Sequence, residues 1–559
     1  MNEVRFSLLI TVLLTLGLIA CHADKDDPAG QADELSDPVR RQNALSNLQR
    51  LYGSVLADHQ GDRSAAPVRE FHDQVAEKLS QAYIDNPADN QNRLTMLELM
   101  KEMRDPRTIP ALVEALDWRA EVSENHAISA ADTLRYIEVP ADKKSEVIRG
   151  LCEGLAKVTG PRPIDNRMRN GFIRALGAQN DHSATECLVE VVTNQSEEQN
   201  FLFNRLAAQQ LGILADPQAV PALIKALFLF APNNPAMRMN DVAAEALVRI
   251  GRPSLEPLLQ VMRGEHEEAN AIAEAYIEAV RQRDENAASQ MSVAQVTGSE
   301  ATFTLGALGY AEAFEPLQAE TESEDIFRRV NGAIALAQLN VPEAQEAQIH
   351  TRMRTVYEGL PDDATGLQAR AQLLANMRQT YDPIYLDFFL GEAKKADLHP
   401  AVRIEAVKAF ALLADKERAQ ELRAWIEGLS EEDGYKTTFQ TESAEAIETA
   451  IACDVDIQCY IGKLGDSDKG VARKAAFMLG RLGRGNAEVI GALVDKLGHR
   501  EVEVRLSVIH ALDEIAIDGS EAAVAKIEEL RETEEGRAIW TQFSREALPI
   551  QARLRARAQ

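Results

Sequence analysis

Apolar positions recur along this chain at helical spacing. Val402-Arg403 is followed by Ala406, Ala409, Phe410 and Leu413; Val471 by Ala475, Met478, Leu479 and Leu482; and Val504-Arg505 by Val508, Ala511, Leu512 and Ile515. Each set draws one apolar stripe on an amphipathic helix. A second pattern opens on proline. Asp105-Pro-Arg-Thr-Ile-Pro-Ala-Leu-Val-Glu-Ala-Leu116 returns as Asp216-Pro-Gln-Ala-Val-Pro-Ala-Leu-Ile-Lys-Ala-Leu227, with shorter relatives at Pro253–Leu259 and Ala313–Leu317. Proline in the first turn of a helix gives up no hydrogen bond, and Asp beside it caps the exposed amides. The glycines Gly177, Gly212, Gly251, Gly309, Gly483 and Gly498 fall where helices are expected to stop. The patterns predict paired helices over residues 92–533, about eleven or twelve pairs at this repeat length. Residues 43–87 read as helical but fit the repeat poorly, as a capping unit would. Residues 265–296 read as a long polar helix and a Ser/Gln-rich loop that interrupts the stack.

The two halves together resemble HEAT repeats: a first helix with V-R-x-x-A-x-x-A-L-x-x-I, a turn, then Asp-Pro and a second helix opening P-A-L. The resemblance implies an all-α fold, an α-solenoid or superhelix with an extended concave face. Composition agrees. Aromatic residues are only 5% of the 559-residue chain while hydrophobic residues reach 45%, a balance that suits helices better than strands.

The formal charge of -28 repels phosphate backbones, so no nucleic-acid partner is expected. The visible basic cluster, Arg545, Arg553, Arg555 and Arg557, reads as a solvated terminal helix.

The start of the chain has a different character. Phe6 to Ala20 is an uncharged apolar run, shorter than the roughly 20 residues that span a bilayer. It fits the apolar region of a secretory signal peptide. Leu18-Ile19-Ala20-Cys21 resembles the lipobox of bacterial lipoproteins, in which the Cys thiol receives a diacylglycerol and the peptide is cut before it. That resemblance implies removal of residues 1–20 and lipidation of Cys21. His22, in place of Asp, implies the outer membrane, with the body facing the periplasm or the cell surface. The expected plan is therefore a signal peptide (1–20), a flexible acidic tether (21–40), a helical N-terminal cap (41–91), the repeat solenoid (92–533) and a helical tail (534–559).

An exported chain permits disulfides. Cys453 and Cys459 flank an inter-helix turn and are expected to pair; a zinc half-site is the rival, but no second Cys/His pair lies at ligand spacing. Cys152 and Cys187, 35 residues apart, should lie on stacked second helices. Their pairing stays open, because helices stacked ~8–10 Å apart need a favourable offset to be bridged.

Candidate chemistry is sparse. Deoxyhypusine hydroxylases, also HEAT-like, carry several His-Glu pairs for two irons, whereas His266-Glu267 stands alone here. The repeats also match the general pattern of phycobilisome lyase-type HEAT-like proteins, a likeness of helical packing. Glu431-Glu432 and Asp362-Asp363 read as solvated loops, and Trp118, Trp425 and Trp540 as partly buried at repeat junctions. No catalytic residue, cofactor or metal site is assigned. The expected function is a membrane-anchored scaffold that binds a protein or peptide partner with basic patches. The alternative is an envelope-bound enzyme or accessory factor handling a small ligand within residues 265–296.

Overall fold

A first helix, a left-handed stop, a capped turn and a second helix make up the repeating unit. In the computed structural model, which describes residues 23–119, 123–430, 434–516, 520–532, 547, 550, 551, 553 and 554, the pairs run from Asn90–Met103 with Ile109–Leu116 to Val502–Ile515 with Ser520–Glu532. Arg104, Asn180, Ala215 and Tyr381 end first helices at φ values of 55°, 48°, 52° and 56°, and Gly251 and Gly309 do the same at 78° and 74°. Then comes the capping residue. The carboxylates of Asp105, Asp181, Asp216 and Asp382 each accept the N–H two residues on, at 2.9, 2.9, 3.0 and 2.8 Å. A cap of this kind contributes about 1 kcal/mol. The three residues after each Asp form a single 3-10 turn that hands over to the second helix.

Two of the expected helix stops are corrected. Gly177 and Gly212 lie inside their helices, Pro163–Ala178 and Leu202–Leu214, three residues before the left-handed stop. They serve close crossing instead. A Cβ at Gly212 would stand 2.9 Å from Ala246 Cα, and one at Gly306 would stand 2.8 Å from Ala335 Cα. Neighbouring first helices touch backbone to backbone there, which only glycine permits.

The arginine of the V-R pair proves to be a latch. Arg403 donates to Ala393 O (3.0 Å) and Arg505 to His499 O (2.5 Å), each reaching back to the segment before its own helix. Arg169 and Arg370 make the same reach to Val158 O (3.0 Å) and Leu360 O (2.7 Å). All four are buried. A guanidinium has enough fixed donors to satisfy carbonyls that the preceding element leaves open.

The described residues form two compact units, divided between Gln210 and Leu211. In the first, Arg41–Asp58 and Ala66–Asp85 stack on the following pairs as an additional pair, the capping unit. Residues 23–40, expected as a flexible tether, are folded over most of their length. Pro28–Asp33 is a helix packed on both helices of that pair, with Ala32 and Leu35 buried. Gln31 donates to the carbonyl of Asp24 and accepts from Asn47, so a polar composition is held by specific hydrogen bonds. Residues 1–22, including Cys21 and the signal-peptide run, lie outside the described residues.

The second unit carries two departures from the repeat. Phe230–Ala231 and Asn234–Arg238 form a β-hairpin across a Pro-Asn-Asn turn, docked on the long helix Glu267–Arg281 through Phe230 and Tyr276 (ring centroids 5.5 Å). Residues 265–292 form an insert of that long helix and a short one, Glu285–Ser289. The insert does not break the stack. Leu255–Met262 and Asn240–Ile250 both pack directly on Val293–Leu308, so the inserted helices are looped out.

Candidate functional site

The first helices of the second unit form its inner row. Pro400–Leu413 touches not only its neighbour Lys436–Cys453 but also Lys469–Leu482, the first helix after that. Adjacent helices pack ~8–10 Å apart, so elements two places apart meet only on the inside of a tight curve. Still longer contacts follow. Tyr381, ending Ala364–Gln379, lies ring to ring with Phe477 at 5.0 Å, and Gln379 reaches His510 at 3.4 Å. The expected open concave face is therefore corrected: between residues 364 and 515 the inner row closes on itself. Small side chains make this geometry available. A Cβ at Gly480 would stand 2.6 Å from Tyr381 Cε1 and 3.1 Å from Ala511 Cβ.

Polar groups line this closed row. Lys474 is fully buried and donates to the carbonyls of Ala411 (3.0 Å), Leu412 (2.8 Å) and Ala414 (2.5 Å). Arg481, two turns along the same helix, donates to Leu413 O at 2.6 Å. Together they cap the C-terminal end of Pro400–Leu413 from the second helix pair onward. Burial, and after it the nearby Arg481, pushes the Lys474 amine well below its ordinary pKa. Burial likewise raises the Tyr381 hydroxyl, with Glu514 and Asp513 acting in the same direction; among the described residues that buried hydroxyl has no hydrogen-bond partner.

Arg553 reaches the same face. Ala547, Ile550, Gln551 and Leu554 are buried, and Arg553 is only 9% exposed. Its Nε lies 3.1 Å from both carboxylate oxygens of Asp513, and its Nη1 3.4 Å from Ala307 O. Arg553, expected on a solvated helix, is corrected to a buried ion pair; Arg545, Arg555 and Arg557 lie outside the described residues. A cation is favoured at this place because Ala307 and Asp513 both sit in the last turns of their helices, at the negative ends of two helix dipoles.

The cysteines fall on the expected elements. The structure joins Cys152, on Ala141–Ala156, to Cys187, on Thr185–Thr193, both second helices, at a Cα–Cα distance of 5.8 Å. Cys453 is joined to Cys459 across the turn at 5.4 Å.

The small-ligand expectation at 265–296 meets a cleft of about 530 Å³, lined by Glu274, Ile277, Glu278, Arg281, Met291 and Ser292. Its polar side chains do not converge. Glu274 stands in water, and Arg281 is already paired with Glu278. His266 caps the helix Glu267–Arg281, its Nδ1 accepting the Ala269 N–H at 3.2 Å. Among the described residues no group of three His, Cys, Asp or Glu side chains is placed to hold a metal ion. Asp363 caps Ala364–Gln379, Asp362 pairs with Arg370, and Glu431-Glu432 lie outside the described residues. Trp118 is buried and donates to Gly154 O, Trp425 packs on Phe439, and Trp540 lies outside the described residues.

A polar arrangement, buried at the first place and half-buried at the second, recurs at two junctions. His72 Nδ1 meets the capping carboxylate of Asp105 at 3.2 Å and its Nε2 meets Tyr52 Oη at 3.3 Å; His350 Nε2 meets Asp382 at 3.0 Å and its Nδ1 meets Tyr385 Oη at 2.8 Å. Each histidine comes from the second helix of one repeat and each Asp from the cap of the next. Burial holds His350 below its ordinary pKa although Asp382 pulls the other way. Burial works against the Asp105 carboxylate, but hydrogen bonds from Arg107 and His72 more than offset it, and its pKa is well below the usual range. A depressed histidine favours folding when neutral, so its contribution is present above the unfolded pKa of about 6.5 and lost as pH falls below it. The depressed Asp105 contributes above about pH 4 and is lost on further acidification. The urea midpoint is thus expected to fall between pH 7.5 and 5.0, and His350→Gln should flatten that slope. An unchanged slope would remove His350 from the account.

The helix pairs, left-handed stops and capped turns define a HEAT-repeat α-solenoid. Residues 461–541 match the model for HEAT repeats, and residues 205–228 match that for the PBS lyase HEAT-like repeat. No curated protein matches the chain in sequence. Among solved structures the chain is similar to Kap121p, at 12% identity over 95% of this chain and 75% of that one, with a TM-score of 0.39. It is also similar to importin beta, crystallised in an ammonium sulfate condition, at 13% identity over 93% and 72% of the two chains, with a TM-score of 0.42. At these identities no role passes from those proteins to this chain.

Proposed function

We propose that this protein is a non-catalytic HEAT-repeat scaffold, lipid-anchored through Cys21 in the bacterial cell envelope, that holds a protein or peptide partner. The observation that carries the binding role is the inner face of the second unit. It already takes up Arg553 of the chain itself, through a buried ion pair with Asp513, and the neighbouring Ile550 and Leu554 are buried as well. Anchoring rests on the lipobox-like Leu18-Ile19-Ala20-Cys21, and His22 favours the outer membrane. Acyl chains at roughly 0.8 kcal/mol per buried CH₂ make such attachment durable. The two cysteine bridges suit a chain folded in an oxidising compartment. The net charge of -28 favours a partner with basic patches.

The test is crosslinking and capture from envelope membranes with the native protein and with Cys21→Ser. The native protein should sediment with membranes and capture a discrete partner, while Cys21→Ser should be released into the soluble fraction and lose it. Membrane association that survives Cys21→Ser would end the anchoring claim. Capture of nothing by either folded form would end the scaffold claim.

A further inference from the structure

We infer that the inner face of the second unit is a receptor for an arginine-bearing amphipathic helix, and that the chain's own end, around Ile550–Leu554, is an internal ligand occupying it. This rests on the scaffold reading and names the chemistry of its partner.

Three observations converge. The first is reach. Closing the end of a solenoid requires covering only its last pair, and the last described one is Val502–Ile515 with Ser520–Glu532. Arg553 pairs with Asp513 on that pair and also reaches Ala307 O on Val293–Leu308, six first helices earlier in the row. The contact therefore bridges two first helices of the inner face instead of covering the end of the stack alone.

The second is chemistry. Ile550 and Leu554 are four apart, both buried, and helical, so they share one face of the segment with Arg553 beside them. The receiving surface supplies the Asp513 carboxylate, the Ala307 carbonyl and two negative helix ends. The pairing of apolar anchors with one desolvated arginine is how helices seat in protein grooves.

The third is incompleteness. The Tyr381 hydroxyl is buried, feels Asp513 and Glu514, and has no hydrogen-bond partner among the described residues. The Arg378 Nε, one turn earlier, is buried and unpartnered as well. The described residues of the internal segment therefore leave polar capacity of this face unused, which a better-matched helix would satisfy.

The probe is a synthetic peptide of residues Arg545–Gln559, titrated by fluorescence anisotropy into the full-length protein. The wild-type face is filled, which lowers its apparent affinity by the fraction that is open. Arg553→Glu combined with Leu554→Asp should open it and tighten peptide binding by about tenfold or more. Adding Asp513→Arg to that variant should remove about tenfold or more of the affinity. No binding to the opened protein, or binding indifferent to Asp513, would overturn the inference. Should the double substitution lose helical circular dichroism, the wild-type protein serves: excess peptide must speed amide exchange at residues 547–554, and unchanged exchange is equally fatal. A failure here alongside a partner captured through crosslinking removes only this helix chemistry; a failure of both removes the scaffold.

Discussion

Replacing Lys474 by methionine is expected to lower the unfolding free energy by about 3 kcal/mol. Methionine nearly matches the length of lysine and can fill the space, so the change isolates the donors. Three carbonyls, those of Ala411, Leu412 and Ala414, then lose their common partner at the buried end of a helix. Exchanging a buried ion pair for apolar side chains can be neutral, because both charges leave together. Here the acceptors are backbone and remain. The pH dependence has a definite sign. Because burial depresses the Lys474 pKa, the unfolded chain binds more protons than the folded one up to about pH 10.4, and wild-type stability gains as pH rises through that window. The difference between wild type and Lys474→Met should therefore widen from pH 7 toward pH 10. Urea denaturation at the two pH values reads both quantities, and a variant as stable as wild type would show that the carbonyls find water or another donor.

Gly480→Val should cost a similar amount, about 3 kcal/mol, against the ordinary expectation for a helical glycine. In an exposed helix, replacing glycine by alanine gains about 1 kcal/mol. At Gly480 the new Cβ would meet the Tyr381 ring at 2.6 Å and Ala511 Cβ at 3.1 Å. The ring has nowhere to go, being 4% exposed and set against Phe477. Overpacking of this kind costs about 1–3 kcal/mol, and the second branch of valine takes it to the upper end. Thermal unfolding followed by circular dichroism measures it. If Gly480→Val raises the midpoint, the close crossing of the inner row is not tight in solution.

The repeat itself was legible because its physics is local. Asp-Pro, the apolar stripe and the alanine spacing each fix one element, and the pairs from Asn90–Met103 onward follow them. What escaped was anything set by a distant partner. Arg403 and Arg505 stood out as a repeated charge beside an apolar stripe, yet their carbonyl acceptors can be named only once the preceding element is in place. Asn180 and Ala215 end helices at positive φ without being glycine, so Gly177 and Gly212, three residues earlier, took that role in the reading. Residues 23–36 look like a solvated linker by composition and are tied down by two apolar side chains and a glutamine. The Pro-Asn-Asn turn of the hairpin at 230–238 was a readable signal that the helical period obscured. The inner face was hidden for the strongest reason: Gln379 with His510 and Arg553 with Ala307 join residues 131 and 246 positions apart.

The contacts of Tyr381 with Phe477 and of Gln379 with His510 also bear on how the molecule comes apart. A solenoid whose repeats touch only their neighbours behaves as a chain of weakly coupled springs, and it can fray from either end. A row that meets itself three and four pairs later does not have that freedom. Loss of any one pair between residues 364 and 515 deprives several others of their packing at once. The second unit should melt as one cooperative block, and its folding should be slow, since the contacts that reward it close long loops.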